Sequence, residues 1–496
     1  MPAQVVASIA VIIIYRVWFH PLSVFPGPKR LAITEAPQQW QNCVQGTWVR
    51  KAGALHRQYG PIVRIGPNHL AVDGSIGWPQ IFGHRPGQAE FSKYPSFFGD
   101  HNNITVIGAP RESHRRQRRQ LAHAFSEAAL TEQQDIMLHY MDLLMDKFSE
   151  HAGKGEKTNI VNWLNFMAFD IIGDLTFGES FGSLTKSDYH PWVRNIVEGV
   201  RSGALARFVL YQPLFAPIFP FLVGRSFFKA LKESTELSNA KAKARIAQGE
   251  VDGRRDFMTY LTKKTRDGEQ GMTYEEQVLN SPILIAAGSE TTATALSGFF
   301  FFMGHRRDFV QILTEEVRGA FQTENEITAK AAAKLPFLVA CLEETLRLYP
   351  PAIETPPRVS PGAEINGTFV PKGTVVSVYQ WATHRNPEHF TDAEEFRPER
   401  WLPPTHSLYD SKYANDNRSV VKPFSFGTRD CIGKNLAYAE MRTLVSRVFH
   451  RFDWELVPGQ EKWLDEQSML IVWQKGPLWI KLKGRNGHVP LVAKKL

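Results

Sequence analysis

Three clusters of residues in this 496-residue chain have types and spacings that could act together on chemistry. Near the C-terminus runs Phe424-Ser425-Phe426-Gly427-Thr428-Arg429-Asp430-Cys431-Ile432-Gly433. Gly427 permits a tight turn and Gly433 a close backbone approach. Helical periodicity begins directly after Cys431, so the sulfur falls at a helix N-terminus, where unpaired N–H groups and the dipole favour an anionic thiolate. Such a thiolate can serve as proximal ligand to haem iron. A lone cysteine is more often an inert buried residue, and that reading holds for Cys43 and Cys341. For Cys431 the flanking pattern overrides it.

The second cluster is Ala287-Gly288-Ser289-Glu290-Thr291-Thr292, inside the apolar segment Tyr274 to Met303. Ala287, Gly288 and Thr291 share one helix face, and their small size leaves room for a diatomic molecule. Thr291 can bond back to the carbonyl four residues earlier and open the ladder to water. An ordinary small-residue packing face would look similar, but Glu290 would be costly to bury there without a use. Pro282 is expected to kink the helix upstream. The third cluster is the basic run His114-Arg115-Arg116-Gln117-Arg118-Arg119. His114 and Arg118, four apart, could grip carboxylates, although a solvated face or a heparin-like patch fits the run equally. Glu344 and Arg347 can pair on a helix, which by itself suggests only a solvated contact.

The elements that must position these residues are mostly helical. Apolar residues recur at three- and four-residue steps over 128–148, 161–175, 228–247, 274–303, 309–321, 334–348 and 432–449. Short strand signals occur at 62–65, 364–370 with its Asn366-Gly367 turn, 374–378, and 469–473 with 479–482. The expected fold class is mainly α with small β-sheets. No repeat and no long linker divides the chain, so a single large domain over 31–496 is expected. Composition agrees: 43% hydrophobic residues exclude wholesale disorder, and three dispersed cysteines exclude a disulfide scaffold. A net charge of +8 is too small an excess to imply nucleic acid. Ala3 to Phe19 carries one charge, Arg16, and reads as a borderline membrane anchor over 1–20. Arg16, Lys29 and Arg30 place the remainder in the cytosol. Residues 21–30 read as a Pro-rich hinge. The sequons at Asn103, Asn366 and Asn417 would then go unused.

Phe424, Gly427, Arg429, Cys431 and Gly433 together resemble, position for position, the cysteine-ligand loop of the cytochrome P450 family. The resemblance runs along nearly the whole chain, and Tyr15-Arg16, Phe19-His20-Pro21-Leu22 and Phe25-Pro26-Gly27-Pro28-Lys29 look like the membrane-proximal signature of fungal members. It implies the cytochrome P450 fold, with haem b between the long distal helix and the Cys431 loop. It further implies that Thr291 hydrogen-bonds the dioxygen bound there, that Glu290 with water feeds protons, and that Gly288 and Ala287 complete the oxygen-activation motif. His114, standing where tryptophan is more usual, with Arg118, Arg358 and Arg429, would hold the haem propionates. Arg400 would join Glu344 and Arg347 in a buried network that locks the cysteine loop. Arg115, Arg116 and Arg119 would face outward to an acidic NADPH-dependent flavoprotein reductase. The segments 97–107, 205–223, 353–355 and 468–471 would lie above the haem. The family activity is monooxygenation of a hydrophobic small molecule at the endoplasmic reticulum membrane, here resembling trichothecene hydroxylases and so pointing to a terpenoid or polyketide. A haem-thiolate isomerase or dehydratase, or a non-catalytic haem-binding membrane protein, is the alternative.

Overall fold

Helix formation follows the apolar periodicity closely. The computed structural model describes residues 2–98, 104–249, 251, 253–261, 271–470 and 472–485. The elements used below are helices α1 (Pro2–Ile14), α2 (Arg111–Ala124), α3 (Gln134–Lys154), α4 (Ile160–Phe177), α5 (Pro191–Tyr211), α6 (Phe219–Ala247), α7 (Tyr274–Gly304), α8 (Arg307–Ala320), α9 (Pro336–Leu348) and α10 (Lys434–Arg451). Among the strands, β1 (Ile62–Gly66), β2 (His69–Val72), β3 (Ser92–Lys93), β5 (Arg358–Val359) and β6 (Val375–Ser377) form one sheet in the order β1-β2-β6-β5-β3. Only β2 and β6 run parallel in it. A second, antiparallel sheet sets β8 (Trp479–Gly484) between β4 (Lys157–Asn159) and β7 (Phe452–Leu456). The strand after Trp479 therefore joins β4 and β7, while Ser468–Met469 pairs with Trp473–Gln474. The Asn366-Gly367 hairpin forms as expected, with both turn residues at positive φ.

Helix α7 is the axis of the domain. Thr273 caps its start and Glu276 reciprocates, a complete capping box. Pro282 lies inside the helix, whose run continues across it to Gly304. Two glycines let neighbours close in: a Cβ on Gly288 would lie 2.7 Å from Ile172 of α4, and one on Gly298 2.4 Å from Tyr349. Arg116 of α2 clasps Glu276 at 2.5 and 2.7 Å, fastening α2 to the start of α7. Arg116 is thus a tether within the fold and not part of an outward-facing patch; Arg115 and Arg119 are exposed.

The N-terminus departs from expectation. Regular α-helix ends at Ile14 and a five-residue π turn follows to Phe19. Thirteen residues rise roughly 20 Å, against the roughly 30 Å of a bilayer core. Among the described residues no helix is long and apolar enough to cross a membrane, so the spanning anchor is not borne out. Val5, Val6, Ile9, Val11 and Ile12 stand exposed instead. Residues 21–30, the Pro-rich stretch, pack against the domain. Leu22 and Phe25 are buried, Pro26 accepts from Arg64 N–H at 2.7 Å, and a Cβ on Gly27 would sit 2.3 Å from the Arg64 carbonyl oxygen. Asn103, Ile471 and residues 486–496 lie outside the described residues.

The cysteine loop is held by a buried network. Arg347 donates to both Glu344 oxygens at 2.7 and 2.8 Å, Arg400 reaches Glu344 at 3.1 Å, and Trp401 Nε1 and Arg397 N–H complete the carboxylate at 2.8 Å. Arg400 also pairs with Asp416, which sequence reasoning missed. Every one of these charges is satisfied and closed to water. Removing one partner strands the others. Arg400→Leu is expected to cost about 3–5 kcal/mol, read as a lowered midpoint in urea unfolding; an unchanged midpoint would contradict the role.

Candidate active site

A single cavity joins α7 to the loop that carries Cys431. Ala287, Gly288 and Thr291 line one side; Phe424, Cys431 and Gly433 line the other. Between them the walls are apolar, with Phe125, Ile172, Leu284, Ala295 and Leu346. Gly427 shapes the loop: its φ is +81°, and a Cβ there would lie 1.9 Å from the carbonyl oxygen of Phe82. Gly433 differs from expectation, because a Cβ there would meet nothing closer than 3.9 Å. Its free side is the cavity it lines.

Cys431 N–H donates to the Phe424 carbonyl at 2.8 Å, which turns the loop back before α10 begins at Lys434. Its side chain opens into the cavity. Burial pushes the thiol pKa up, while the Gly433 N–H, Arg118 and Lys434 pull it down without prevailing. The helix start alone does not deliver the thiolate expected from the sequence. Ionisation needs a cation facing the sulfur, as ligation by iron would provide.

One edge of the cavity is crowded with bases. His114 is driven down to about 3 by burial and then by Arg429, Lys93, Arg118 and Arg358, so its ring is neutral. Burial and Arg429 bring Arg358 down to about 10, and its Nε is buried without a partner. Arg429 donates to Glu90 and to the Ala109 carbonyl at 3.0 Å, and Arg118 pairs with Asp430. Positive charge exceeds negative at this edge. A flat apolar ligand with two carboxylates and a metal at its centre fits the donor set: bases for the carboxylates, sulfur for the metal. Lys93 belongs to the set and was missed, because only the pairing of β3 with β5 brings it beside Arg358.

The distal helix shows two different faces. Thr291 Oγ1 donates to the Ala287 carbonyl at 2.6 Å, as its position in the helix predicts. Glu290 does not reach the Cys431 cavity. It lines a second one, with room for water over about 880 Å³, and there pairs with Lys475 and accepts from Thr294 at 3.4 Å. Its Oε2 is buried without a partner. Among the segments expected above the haem, only 353–355 contributes described residues to the Cys431 cavity, namely Glu354 and Thr355. Phe208 is packed against Trp40 and Phe215, whereas Leu214 and Phe221 are 88% and 87% exposed.

The cytochrome P450 family profile matches residues 26–482. The chain belongs to the cytochrome P450 family. It is 40% identical to cytochrome P450 monooxygenase astJ of Aspergillus oryzae, over 95% of this chain and 94% of that protein. It is 38% identical to a trichothecene C-15 hydroxylase of Fusarium sporotrichioides, over 96% of each, and 37% identical to an averantin hydroxylase of Dothistroma septosporum, over 96% and 89%. The mainly helical cytochrome P450 fold read from the sequence is the one observed, and the protein is a monooxygenase of that family.

A further feature of this cytochrome P450 escaped the sequence reading. Glu440 of α10 is buried, meets the Thr292 hydroxyl next to Thr291, and has an unpartnered Oε2. Burial raises it to about 8, so it is protonated at neutral pH. The unfolded chain releases that proton near 4.5, so the contribution is full below about 4.5 and is lost as pH rises to about 8. Glu440→Gln keeps the shape without the proton. Urea unfolding at several pH values is expected to show a decline across that window in the parent that is shallower in the variant; equal slopes would refute it.

Proposed function

We propose that this cytochrome P450 hydroxylates or epoxidises a hydrophobic small molecule, a terpenoid or polyketide intermediate of fungal secondary metabolism. The supporting observation is the apolar cavity with Cys431 on one wall, Thr291 on the other and a cationic edge beside them. The names of the relatives, trichothecene and averantin hydroxylases among them, supply the substrate class. Haem, when bound, supplies dioxygen activation with electrons from NADPH through a flavoprotein reductase. Cys431 would be its sulfur ligand, and His114, Arg118, Arg358, Arg429 and Lys93 would hold its carboxylates.

The remaining work belongs to the protein. Ile172, Leu284, Ala295 and Leu346 exclude water and hold an apolar substrate against the distal helix. Thr291 presents a hydroxyl that both donates and accepts, so it can orient a water and hand on a proton. Glu290 draws protons from the wetter cavity and keeps its carboxylate at hand through Lys475 and Thr294. Arg115 and Arg119 offer exposed positive charge for the reductase. The exposed apolar face of α1, with Leu214 and Phe221, lies in the surface of the endoplasmic reticulum membrane and does not span it.

Cys431→Ala is expected to lose both the thiolate-type carbon monoxide spectrum and turnover. Thr291→Ala is expected to keep haem and consume NADPH while product per NADPH falls about tenfold or more, with peroxide released; normal coupling would remove Thr291 from proton delivery. Vesicle flotation tests the membrane assignment: Val5→Ser/Ile9→Ser/Ile12→Ser should leave the vesicles while the parent floats.

A further inference from the structure

The wall of the Cys431 cavity contains an ion pair that neither the haem nor the dioxygen chemistry uses. Glu354 lines the cavity, and Arg207 of α5 donates to its Oε1 at 2.9 Å. The two side chains are 4% and 3% exposed. Asn42 Nδ2 reaches the same carboxylate at 3.3 and 3.5 Å, and the Arg207 guanidinium lies over the Phe97 ring at 4.8 Å. A buried ion pair is poor evidence of stabilisation, because desolvating two charges offsets their attraction. Here the surroundings are also under-satisfied. The Arg207 guanidinium meets the Cys43 thiol but its Nε and Nη2 find no oxygen acceptor, and Asn42 Oδ1 and Gln380 Oε1 are buried with no hydrogen-bond partner. Gln380 lines the same cavity and lies along the strand of contacts that carries Glu354, since Thr355 N–H bonds the Val378 carbonyl and Trp381 N–H the Ile353 carbonyl. Of these residues only Gln380 lines the cavity, together with Glu354, and a charged carboxylate set beside apolar Leu346, Pro351 and Ala352 calls for a polar ligand.

We propose that Glu354 and Gln380 form a polar subsite that binds a hydroxyl group already present on the substrate, with Arg207 and Asn42 as positioning residues. The charges select the group. Arg207 already neutralises Glu354, so an ammonium finds no net negative charge. A carboxylate would meet the Glu354 oxygens. A neutral hydroxyl can donate to Glu354 and accept from the Gln380 amide N–H, the two polar groups that line this part of the wall. The inference rests on the monooxygenase reading and narrows its substrate to a hydrophobic skeleton that an earlier oxygen-inserting or hydrating step has furnished with an alcohol. This enzyme is thereby placed after that step.

The test uses the haem-loaded enzyme and two matched probe pairs, cedrol with cedrane and androstanol with androstane, with binding measured by equilibrium dialysis. Without an acceptor in the wall, the more apolar hydrocarbon binds better. With the subsite, at least one alcohol is expected to bind about tenfold or more tightly than its hydrocarbon, as a site built for a hydroxyl rejects the analogue that lacks it. Glu354→Leu/Arg207→Met removes both charges together, so no unpaired ion is left in the core, and is expected to abolish the preference. Gln380→Leu, which removes no existing bond of Oε1, is expected to reduce it. Equal or weaker binding of both alcohols by the parent, no binding of any probe, or a preference undiminished in the double variant would overturn the subsite. NADPH-driven oxidation of a bound probe is scored separately. Its absence alongside an intact alcohol preference would count against the proposed reaction and leave the subsite standing.

Discussion

Everything at the proximal side of this protein depends on one carboxylate that water cannot reach. Glu344 is saturated by Arg347, Arg400, Trp401 and a backbone N–H, and each arginine then extends the bonding outward. Arg347 reaches the carbonyls of His384, Ala393 and Glu395. His384 returns the contact: its Nδ1 lies 3.2 Å from the Arg347 carbonyl, and its Nε2 accepts from Lys422 N–H at 3.4 Å. That arrangement requires a neutral ring, and burial, reinforced by Arg347, holds the His384 pKa down to about 3. Lys422 stands two residues before Phe424, where the cysteine loop begins. A helix, a short connecting turn and the loop are thus fixed relative to one another by charge that cannot be spared singly.

The same logic, inverted, describes the cavity. At Glu344 the charges balance within the protein; at the Arg358 edge they do not. Desolvation, and after it like-charged neighbours, depress Arg358 and His114, and an anion at this edge would offset both. Cys431 is under-satisfied in the opposite sense, a thiol that burial keeps protonated until a cation faces it. A ligand with carboxylates at its rim and a metal at its centre would relieve both frustrations at once and so would couple its capture to the stability of the loop.

How much of this could be read from the sequence depended on whether the information was local. The Phe424–Gly433 loop was legible because turn, ligand and helix start are contiguous, and α7 because its small residues recur on one face. Lys93 and Asp416 were not, since β3 meets β5 and residue 416 meets Arg400 only through tertiary packing. Arg116 was misjudged for the same reason. A basic run in a helix looks solvent-facing until Glu276, 160 positions later, is folded against it. The N-terminal run was overestimated because hydrophobicity was counted without asking where α-helical hydrogen bonding stops. The exposed aromatics between Leu214 and Phe221 show the converse, an apolar composition that does not enter the core.

Adjacent residues on an α-helix point about 100° apart, and this sets Glu290 and Thr291 toward different cavities. Thr291 faces the largely apolar cavity that Cys431 lines, and Glu290 faces the more polar one beside Lys475. They cannot both reach the same reacting atom in the conformation observed. Between them Thr291 binds back to the Ala287 carbonyl, as Ser289 does to Ile285 and Ser297 to Ala293 along the same helix. Lys475 and Thr294 hold only one oxygen of Glu290, and the other, Oε2, is left unmatched. The carboxylate is therefore anchored without being fully satisfied. Water held at that oxygen would join the two faces of α7 while the apolar walls keep bulk solvent from the reacting carbon.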